Sequence, residues 1–168
     1  MTGRALLYLA IVLLAGCVSH KQTDAPVQGA RPAGFMPLLE DKTGGTYVDF
    51  RTISAYRGNT RLRRFYTVNN YLPPTPIKNP SVWIASSRVV NVVNCDTKER
   101  ALFERIYLSE YWGAGEAIAK RKPVGQWESF PENSLFGIVA SSVCLIKAES
   151  LKPEPSPDTR KMVLGNFQ

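Results

Sequence analysis

The chain of 168 residues has few of the side chains that most enzymes use as nucleophiles, bases or metal ligands, with one histidine and three cysteines. His20 lies near the N-terminus, outside the part expected to fold, so it cannot complete a Ser–His–Asp or Cys–His site there. No P-loop, dinucleotide fingerprint or metal-binding helix motif is present. Glu99, Glu104 and Glu110 could form an acid–base pair, but their positions indicate solvated surface. We therefore expect no enzyme, no metal site and no cofactor.

The sequence also lacks a hydrophobic run long enough to cross a bilayer, which takes about 20 residues. The longest run, residues 5–14, follows the positively charged Arg4 and precedes two small residues. This order is typical of a secretory signal peptide, which we predict over residues 1–16. The alternatives are a signal peptide cleaved at another bond and a buried core helix. The tetrapeptide Leu14-Ala15-Gly16-Cys17 resembles the bacterial lipobox, whose cysteine carries lipid after cleavage.

Lipid on Cys17 would hold the protein at a membrane. Each buried methylene group contributes about 0.8 kcal/mol, and two or more acyl chains give stable anchoring. The next residue is Val18 rather than an aspartate retention signal, so by resemblance to sorted lipoproteins we expect the outer membrane. The cell surface and the periplasmic face of that membrane are kept as alternatives.

The other two cysteines, Cys95 and Cys144, would be exported into an oxidising compartment, where disulfides persist. A bridge between them would close a loop of about 50 residues, which the chain-entropy model values at about 4 kcal/mol. The alternative is a pair of free, buried thiols. A zinc site is not expected, because two cysteines alone do not supply its usual ligands.

The composition indicates one basic globular domain, with 44% hydrophobic residues and a formal net charge of +7. Removal of residues 1–16 takes away Arg4 and leaves 20 basic against 14 acidic residues, a net charge of +6. This excess serves solubility, or it attracts anionic partners such as lipopolysaccharide, phospholipid headgroups or acidic matrix polymers. Nucleic acid is not an expected partner of an exported protein, although residues 61–66 mix basic and aromatic side chains.

We divide the mature chain into three parts. Residues 17–45 contain recurring prolines and glycines and are predicted to be a lipid anchor with a flexible tether. The alternative is a segment that docks on the domain through its apolar residues, Phe35, Met36, Leu38 and Leu39. Residues 46–149 are the predicted folded domain. Residues 150–168, with three alternating prolines, are predicted to be an extended, disordered tail.

Four segments rich in aromatic, β-branched or alternating apolar residues predict strands, namely residues 46–52, 61–72, 87–95 and 101–111. A helix is the competing interpretation of the last segment. Residues 126–130 predict a short further strand. Residues 72–80, which include four prolines, and residues 113–125, which are small and basic, predict loops.

Residues 135–143 predict the helix of the domain. Asn133 or Ser134 is a natural N-cap, and four apolar residues recur at helical spacing to form a buried face: Leu135, Ile138, Val139 and Val143. The expected fold is α+β, an antiparallel sheet of about five to six strands with one C-terminal helix packed on it. A Cys95–Cys144 bridge would attach that helix to the sheet.

Short motifs follow one another in a recognisable order: Tyr47-Val48-Asp49, Asn70-Tyr71, Val93-Asn94-Cys95, Tyr107-Leu108-Ser109, Gly125-Gln126-Trp127, Phe130-Pro131-Glu132-Asn133-Ser134 and Val143-Cys144. Over residues 46–145 they resemble the surface-adhesin protein E family of Gram-negative lipoproteins. The resemblance implies a six-stranded antiparallel sheet, a packed helix and a Cys95–Cys144 disulfide. It also implies a surface lipoprotein that binds host matrix and serum proteins, together with haem binding and homodimer formation. The longer tether, the dense prolines and the tail depart from the family pattern, so the fold transfers better than the function.

Our leading hypothesis is a binding module that presents basic and aromatic side chains on one exposed face of the sheet. The candidates are Arg63, Arg64, Tyr66, Lys98, Arg100, Arg105 and Tyr107. For each of them a solvated strand face without a ligand is the alternative. The alternative function is that of a periplasm-facing envelope assembly or housekeeping lipoprotein without adhesin activity.

Overall fold

A computed structural model describes residues 24–77, 79–122 and 125–167. The predicted signal peptide, the lipobox and His20 lie outside these residues. The strands, in chain order, are β1 Phe35–Asp41, β2 Gly44–Tyr56, β3 Asn59–Ile77, β4 Asn79–Asn94, β5 Glu99–Leu108, β6 Ala117–Arg121, β7 Glu128–Ser129 and β8 Asn166–Phe167. The helix α1 is Leu135–Leu145, and short 3-10 turns occupy Tyr111–Gly113 and Ala148–Ser150.

The strands form a single sheet in which β1 to β6 follow one another as an antiparallel meander. The two-residue strand β7 pairs with β5, and β8 pairs with β6 in parallel. The predicted antiparallel sheet with a C-terminal helix is therefore confirmed. The predicted five to six strands match the meander, whereas β7 and β8 bring the described chain to eight strands.

The first strand lies inside the predicted tether. Residues Phe35–Asp41 pair with β2, and the connecting turn is closed by the Asp41 carboxylate, which accepts hydrogen bonds from the Thr43 amide (2.7 Å) and hydroxyl (2.6 Å). Phe35 is buried against Tyr47 and Trp112. The tether prediction is thus wrong from residue 35 onward. The docking alternative holds for Phe35 and for Leu38, which packs against the core cluster, whereas Met36 and Leu39 are exposed.

The described residues of the proline-rich segment, 72–77 and 79–80, lie in strands, so the prediction of a loop there is wrong. The strand β3 continues to Ile77, and Thr75 and Pro76 pair with Ile84 and Trp83. Proline fixes a backbone angle that extended chain tolerates, but it cannot donate a ladder hydrogen bond. The ladder shifts register between Asn70 and Thr75, which is where this missing donor is accommodated.

The predicted loop over residues 113–125 contains β6, and here too the sequence interpretation is wrong in part. Ala117, Ile118 and Ala119 are buried within the sheet. Small side chains give little strand signal in a sequence, yet they fit where the sheet is closely covered. The predicted short strand over residues 126–130 is present as the two-residue strand β7.

The helix α1 begins as predicted, because the Ser134 hydroxyl accepts a hydrogen bond from the Gly137 amide at 3.1 Å and caps the first turn. Val139 and Val143 are buried, as the predicted face requires. Leu135 and Ile138, by contrast, are 57% and 56% exposed, so the predicted buried face is wrong for these two residues. The buried stripe instead includes Gly137, where a Cβ atom would overlap the carbonyl groups of Pro131 and Glu132, and Ala140, which packs in the core.

We call the side of the sheet that carries Phe65 and Val93 the helix face. Both side chains pack with Val139, Ala140 and Val143 of α1. The predicted disulfide is present here and joins Cys95, just after β4, to Cys144 of α1, with Cα atoms 5.7 Å apart. The covalent bond therefore attaches the helix to the sheet at the edge of this core.

We call the opposite side, which carries Tyr66 and Arg88, the tail face. It is covered by the Tyr111–Gly113 turn and by the C-terminal segment, which contacts the buried Ile106 cluster through Met162. The amides of Val163 and Leu164 donate to carbonyl groups of β6 at 3.0 and 2.8 Å. The segment is extended as expected, but these bonds fix it on the sheet, which differs from the predicted disorder.

An ion pair holds the middle of this C-terminal segment. The Asp158 carboxylate lies 2.6 Å from Arg88 of β4 and 2.7 Å from Arg160. The hydrogen bonds from Arg160 lower the pKa of Asp158 to about 2, so the carboxylate is ionised at neutral pH. The charge of Asp158 thus helps to keep the tail on the sheet over the ordinary pH range.

We predict that the Cys95→Ala/Cys144→Ala variant is less stable to unfolding by about 4 kcal/mol, because its unfolded chain is no longer restricted by the closed loop. Guanidinium unfolding of the oxidised wild type and of the variant measures this difference. Wild-type protein treated with a reductant is the matched control and should approach the variant. Equal unfolding midpoints and slopes in the oxidised and reduced forms would contradict the prediction.

Candidate functional site

The seven residues predicted to share one exposed face are divided between two faces and a turn. Successive residues of a strand point to opposite sides of the sheet, so the neighbours Arg63 and Arg64 cannot lie on the same face. Both are nearly inaccessible, with 6% and 7% of their surface exposed. The prediction of a single exposed cationic face is therefore wrong.

Arg63 is a structural residue of the helix face. Its guanidinium group donates hydrogen bonds to the Thr60 carbonyl and, at 3.1 Å, to the Ile146 carbonyl just after α1. Burial lowers the pKa of Arg63. The side chain thus links β3 to the C-terminal end of the helix instead of facing a partner.

Arg64 and Tyr66 belong to the interior of the tail face. Arg64 donates a hydrogen bond to the Tyr66 hydroxyl at 2.7 Å, and its guanidinium carbon lies 4.5 Å from the centre of the Tyr66 ring. Arg88 lies at the same distance from that ring. Two cation–π contacts on one tyrosine form part of the packing beneath the C-terminal tail.

Lys98 and Arg100 lie at the end of the sheet near α1. Lys98 is exposed in the turn between β4 and β5, with a backbone φ of 58°. Arg100 forms an ion pair with Glu128 at 2.9 Å and stacks over Phe136, 4.6 Å from the ring centre. Arg100 therefore already has partners within the protein.

Arg105 and Tyr107 are the two predicted residues that remain available. Both lie on the helix face of β5, beyond the core covered by α1, and both are half-buried. Within the described residues, neither side chain has an ion-pair or hydrogen-bond partner. They are therefore placed to interact with a molecule outside the chain.

Four polar residues of the neighbouring strands lie beside them, and sequence reasoning did not select these four. Thr46 donates to Asn69 at 2.8 Å, Asn69 donates to Ser87 at 3.3 Å, and the Ser87 and Tyr71 hydroxyl groups are 2.7 Å apart. We call the six residues the polar patch: Thr46, Asn69, Tyr71, Ser87, Arg105 and Tyr107. Its only sequence signal is that Asn69 and Tyr71 alternate with the buried residues 68 and 70 of β3.

A shallow groove of about 280 Å³ runs along the patch. The turn between β1 and β2 forms one wall with Asp41 and Thr43, and Tyr71 and Arg105 form the other. Gly44 permits this turn, because its φ is +137° and a Cβ atom there would overlap the Asn70 carbonyl oxygen. The groove offers hydroxyl and guanidinium donors to a bound chain.

Burial and the neighbouring polar groups act on the pKa of Tyr71 in opposite directions. Burial raises the pKa of Tyr71, while the Ser87 hydrogen bond and the positive charge of Arg105 act in the opposite direction. The patch contains no histidine and no thiol, and the part of the chain that the structure describes has no group of three metal-ligating side chains. The polar groups that the patch presents are hydroxyl, amide and guanidinium groups.

A model of the surface-adhesin protein E family matches residues 35–145. The chain belongs to the surface-adhesin protein E family. The match extends from the start of β1 to the end of α1, so it contains the polar patch, the helix and both bridged cysteines. The tail that covers the opposite side of the sheet lies outside it.

Solved structures show the same fold. The structure of Haemophilus influenzae protein E superimposes with a TM-score of 0.58 at 18% identity, covering 78% of this chain and 98% of that chain. A crystal structure of protein E from non-typeable Haemophilus influenzae gives a TM-score of 0.56 at 20% identity, covering 76% and 86%. At these identities the likeness establishes the fold of this family member and not its ligand.

We predict that Arg105→Gln raises the pKa of Tyr71, because the substitution removes a positive charge that favours the tyrosinate form. Alkaline titration, followed by the near-ultraviolet absorbance of tyrosinate, measures this change in pKa. The same titration in proteins that also carry Tyr71→Phe isolates the Tyr71 contribution. An unchanged Tyr71 titration in Arg105→Gln would show that the two groups are not close in solution.

Proposed function

We propose that this protein is an outer-membrane lipoprotein, anchored through Cys17, whose domain is a binding module for host matrix or serum proteins. The observation that carries the proposal is a polar patch that is uncovered by the helix and contains an uncompensated arginine, within a domain of an adhesin family. Each strand that carries the patch is paired with a neighbouring strand on both sides, so a bound chain would meet a preformed surface. This arrangement supports recognition of a partner with carboxylate or sulfate groups.

The described N-terminal residues support a short connection to the membrane. Residues 26–32 line a groove with Trp83 and Trp112, and Trp112 donates a hydrogen bond to the Gly29 carbonyl at 3.3 Å. Only residues 18–23 then separate the proposed lipid on Cys17 from the first described residue. The seven residue-to-residue steps from Cys17 to Asp24 span at most about 25 Å when the chain is fully extended. The domain would therefore stand close to the membrane surface rather than at the end of a long tether.

The described residues contain no helix long and apolar enough to cross a bilayer.

We predict that Arg105→Gln weakens binding to immobilised matrix or serum proteins by about tenfold, because one charge-assisted hydrogen bond contributes about 1.5 kcal/mol. Biolayer interferometry with the soluble domain across a salt series measures this, and wild-type binding should weaken as exposed charges are screened. Lys161→Gln is the matched control, since it removes one exposed positive charge from the tail. Equal losses in both variants, or no binding at low salt, would contradict the proposed site.

We predict that Cys17→Ser abolishes incorporation of labelled fatty acid and releases the protein from the membrane fraction. Metabolic labelling followed by fractionation measures both effects. Protease treatment of intact cells then distinguishes the two faces of the outer membrane. Digestion supports adhesion, whereas protection until the envelope is opened supports the periplasmic assembly role instead.

A further inference from the structure

A cleft lies on the tail face, on the side of the sheet opposite the polar patch. It has a volume of about 540 Å³ and is enclosed by β2, β5 and the tail segment 154–158. This volume is in the range of pockets that hold small organic molecules. The tail wall lies outside the residues that match the family, so the cleft depends on a part of the chain that the family match does not contain.

The cations of the cleft have no carboxylate partners. Arg57, Arg64 and Lys122 line it, and none of them forms an ion pair within the described residues. Two carboxylates at the cleft are occupied elsewhere, since Glu104 pairs with Lys120 at 2.6 Å and Asp158 with Arg88 and Arg160. The third, Glu154, accepts the backbone amide of Arg57 at 2.8 Å. The cleft therefore has an excess of positive charge.

Arg64 adds a second, independent observation. This side chain is 7% exposed, and its Nη1 atom is buried without any hydrogen-bond partner, while Nη2 donates to Tyr66. A buried donor without an acceptor costs about 1–3 kcal/mol, and more when it is charged. An anion that enters the cleft would supply the missing acceptor, so binding would relieve a cost that the unliganded protein carries.

The wall opposite the tail is aromatic. The rings of Tyr56 and Phe103 lie 5.2 Å apart, and the guanidinium carbon of Arg57 lies 5.2 Å from the centre of the Tyr56 ring. Pro155 and Pro157 add apolar surface from the tail. A ligand that suits both walls carries a flat apolar group next to its negative charge.

We propose that this cleft is a binding site for a small organic anion with a phosphate or carboxylate group attached to an aromatic or apolar moiety. Arg57 and Lys122 attract the anion at the exposed mouth, and Arg64 at the buried end supplies the unused donor. The apolar moiety packs between the aromatic pair and the prolines of the tail. The site is independent of the polar patch and of the membrane anchor.

Phenyl phosphate is the test ligand, with inorganic phosphate, benzoate and neutral benzamide as comparisons. Isothermal titration of the mature protein should give one saturable site for phenyl phosphate. Inorganic phosphate should bind at least tenfold more weakly because it lacks the ring, and benzamide should not bind because it lacks the charge. Tighter binding of benzoate than of phenyl phosphate would assign the anionic group to carboxylate, and equal binding would show that the site accepts either group; both outcomes support the proposal. No saturable binding of either aromatic anion would overturn it.

Arg57→Gln/Lys122→Gln should weaken phenyl phosphate binding at least tenfold, and both side chains are exposed, so the fold should be retained. Arg64→Lys tests the buried end, and circular dichroism checks that it folds. Lys161→Gln is the control for a general loss of charge. NMR shifts on binding should appear at Tyr56 and Phe103. Equal affinity in the double variant and the control, or shifts confined to another surface, would refute the site.

Discussion

The structure depends on the fact that β3 is buried on both of its sides. The consecutive residues Phe65 and Tyr66 point to opposite faces, and they are 0% and 7% exposed. A sheet with two apolar faces needs a covering layer on each side. The helix covers one side and is fixed there by the Cys95–Cys144 bond. Residues 26–32, the Tyr111–Gly113 turn and the tail segment cover the other, so both ends of the described chain are structural parts of the domain.

The sequence predicted those elements whose signals are local. Ser134 fixes the start of the helix through a side chain three residues from its partner, and alternation within β2 and β3 is visible in a short window. The segments that were missed become ordered through distant contacts. Phe35 belongs to β1 because it reaches Trp112, and the tail is held because Asp158 reaches Arg88. Neither segment shows a strong pattern of its own.

The site was harder to predict than the fold, because residue type identifies cations but not the side of the sheet to which they point. Arg63, Arg64 and Arg105 look alike in the sequence, yet the first two are buried on opposite faces and only the third is available. Deciding between them requires the strand register. Asn69 and Ser87 gave no signal for a further reason, since isolated polar residues are as common in loops as in binding surfaces.

The net charge of +7 does not by itself locate a binding site, because many of the cations form ion pairs within the protein. Arg51, Arg88, Arg100 and Lys120 all have carboxylate partners. The cations without such partners include one on the polar patch and three around the cleft, on opposite sides of the sheet. Salt screens an open patch more than a partly enclosed cleft. Binding at the polar patch and at the cleft should therefore differ in salt dependence. The unpaired cations of the patch would bind a large partner at an exposed surface, and those of the cleft would bind a small ligand in a partly enclosed site.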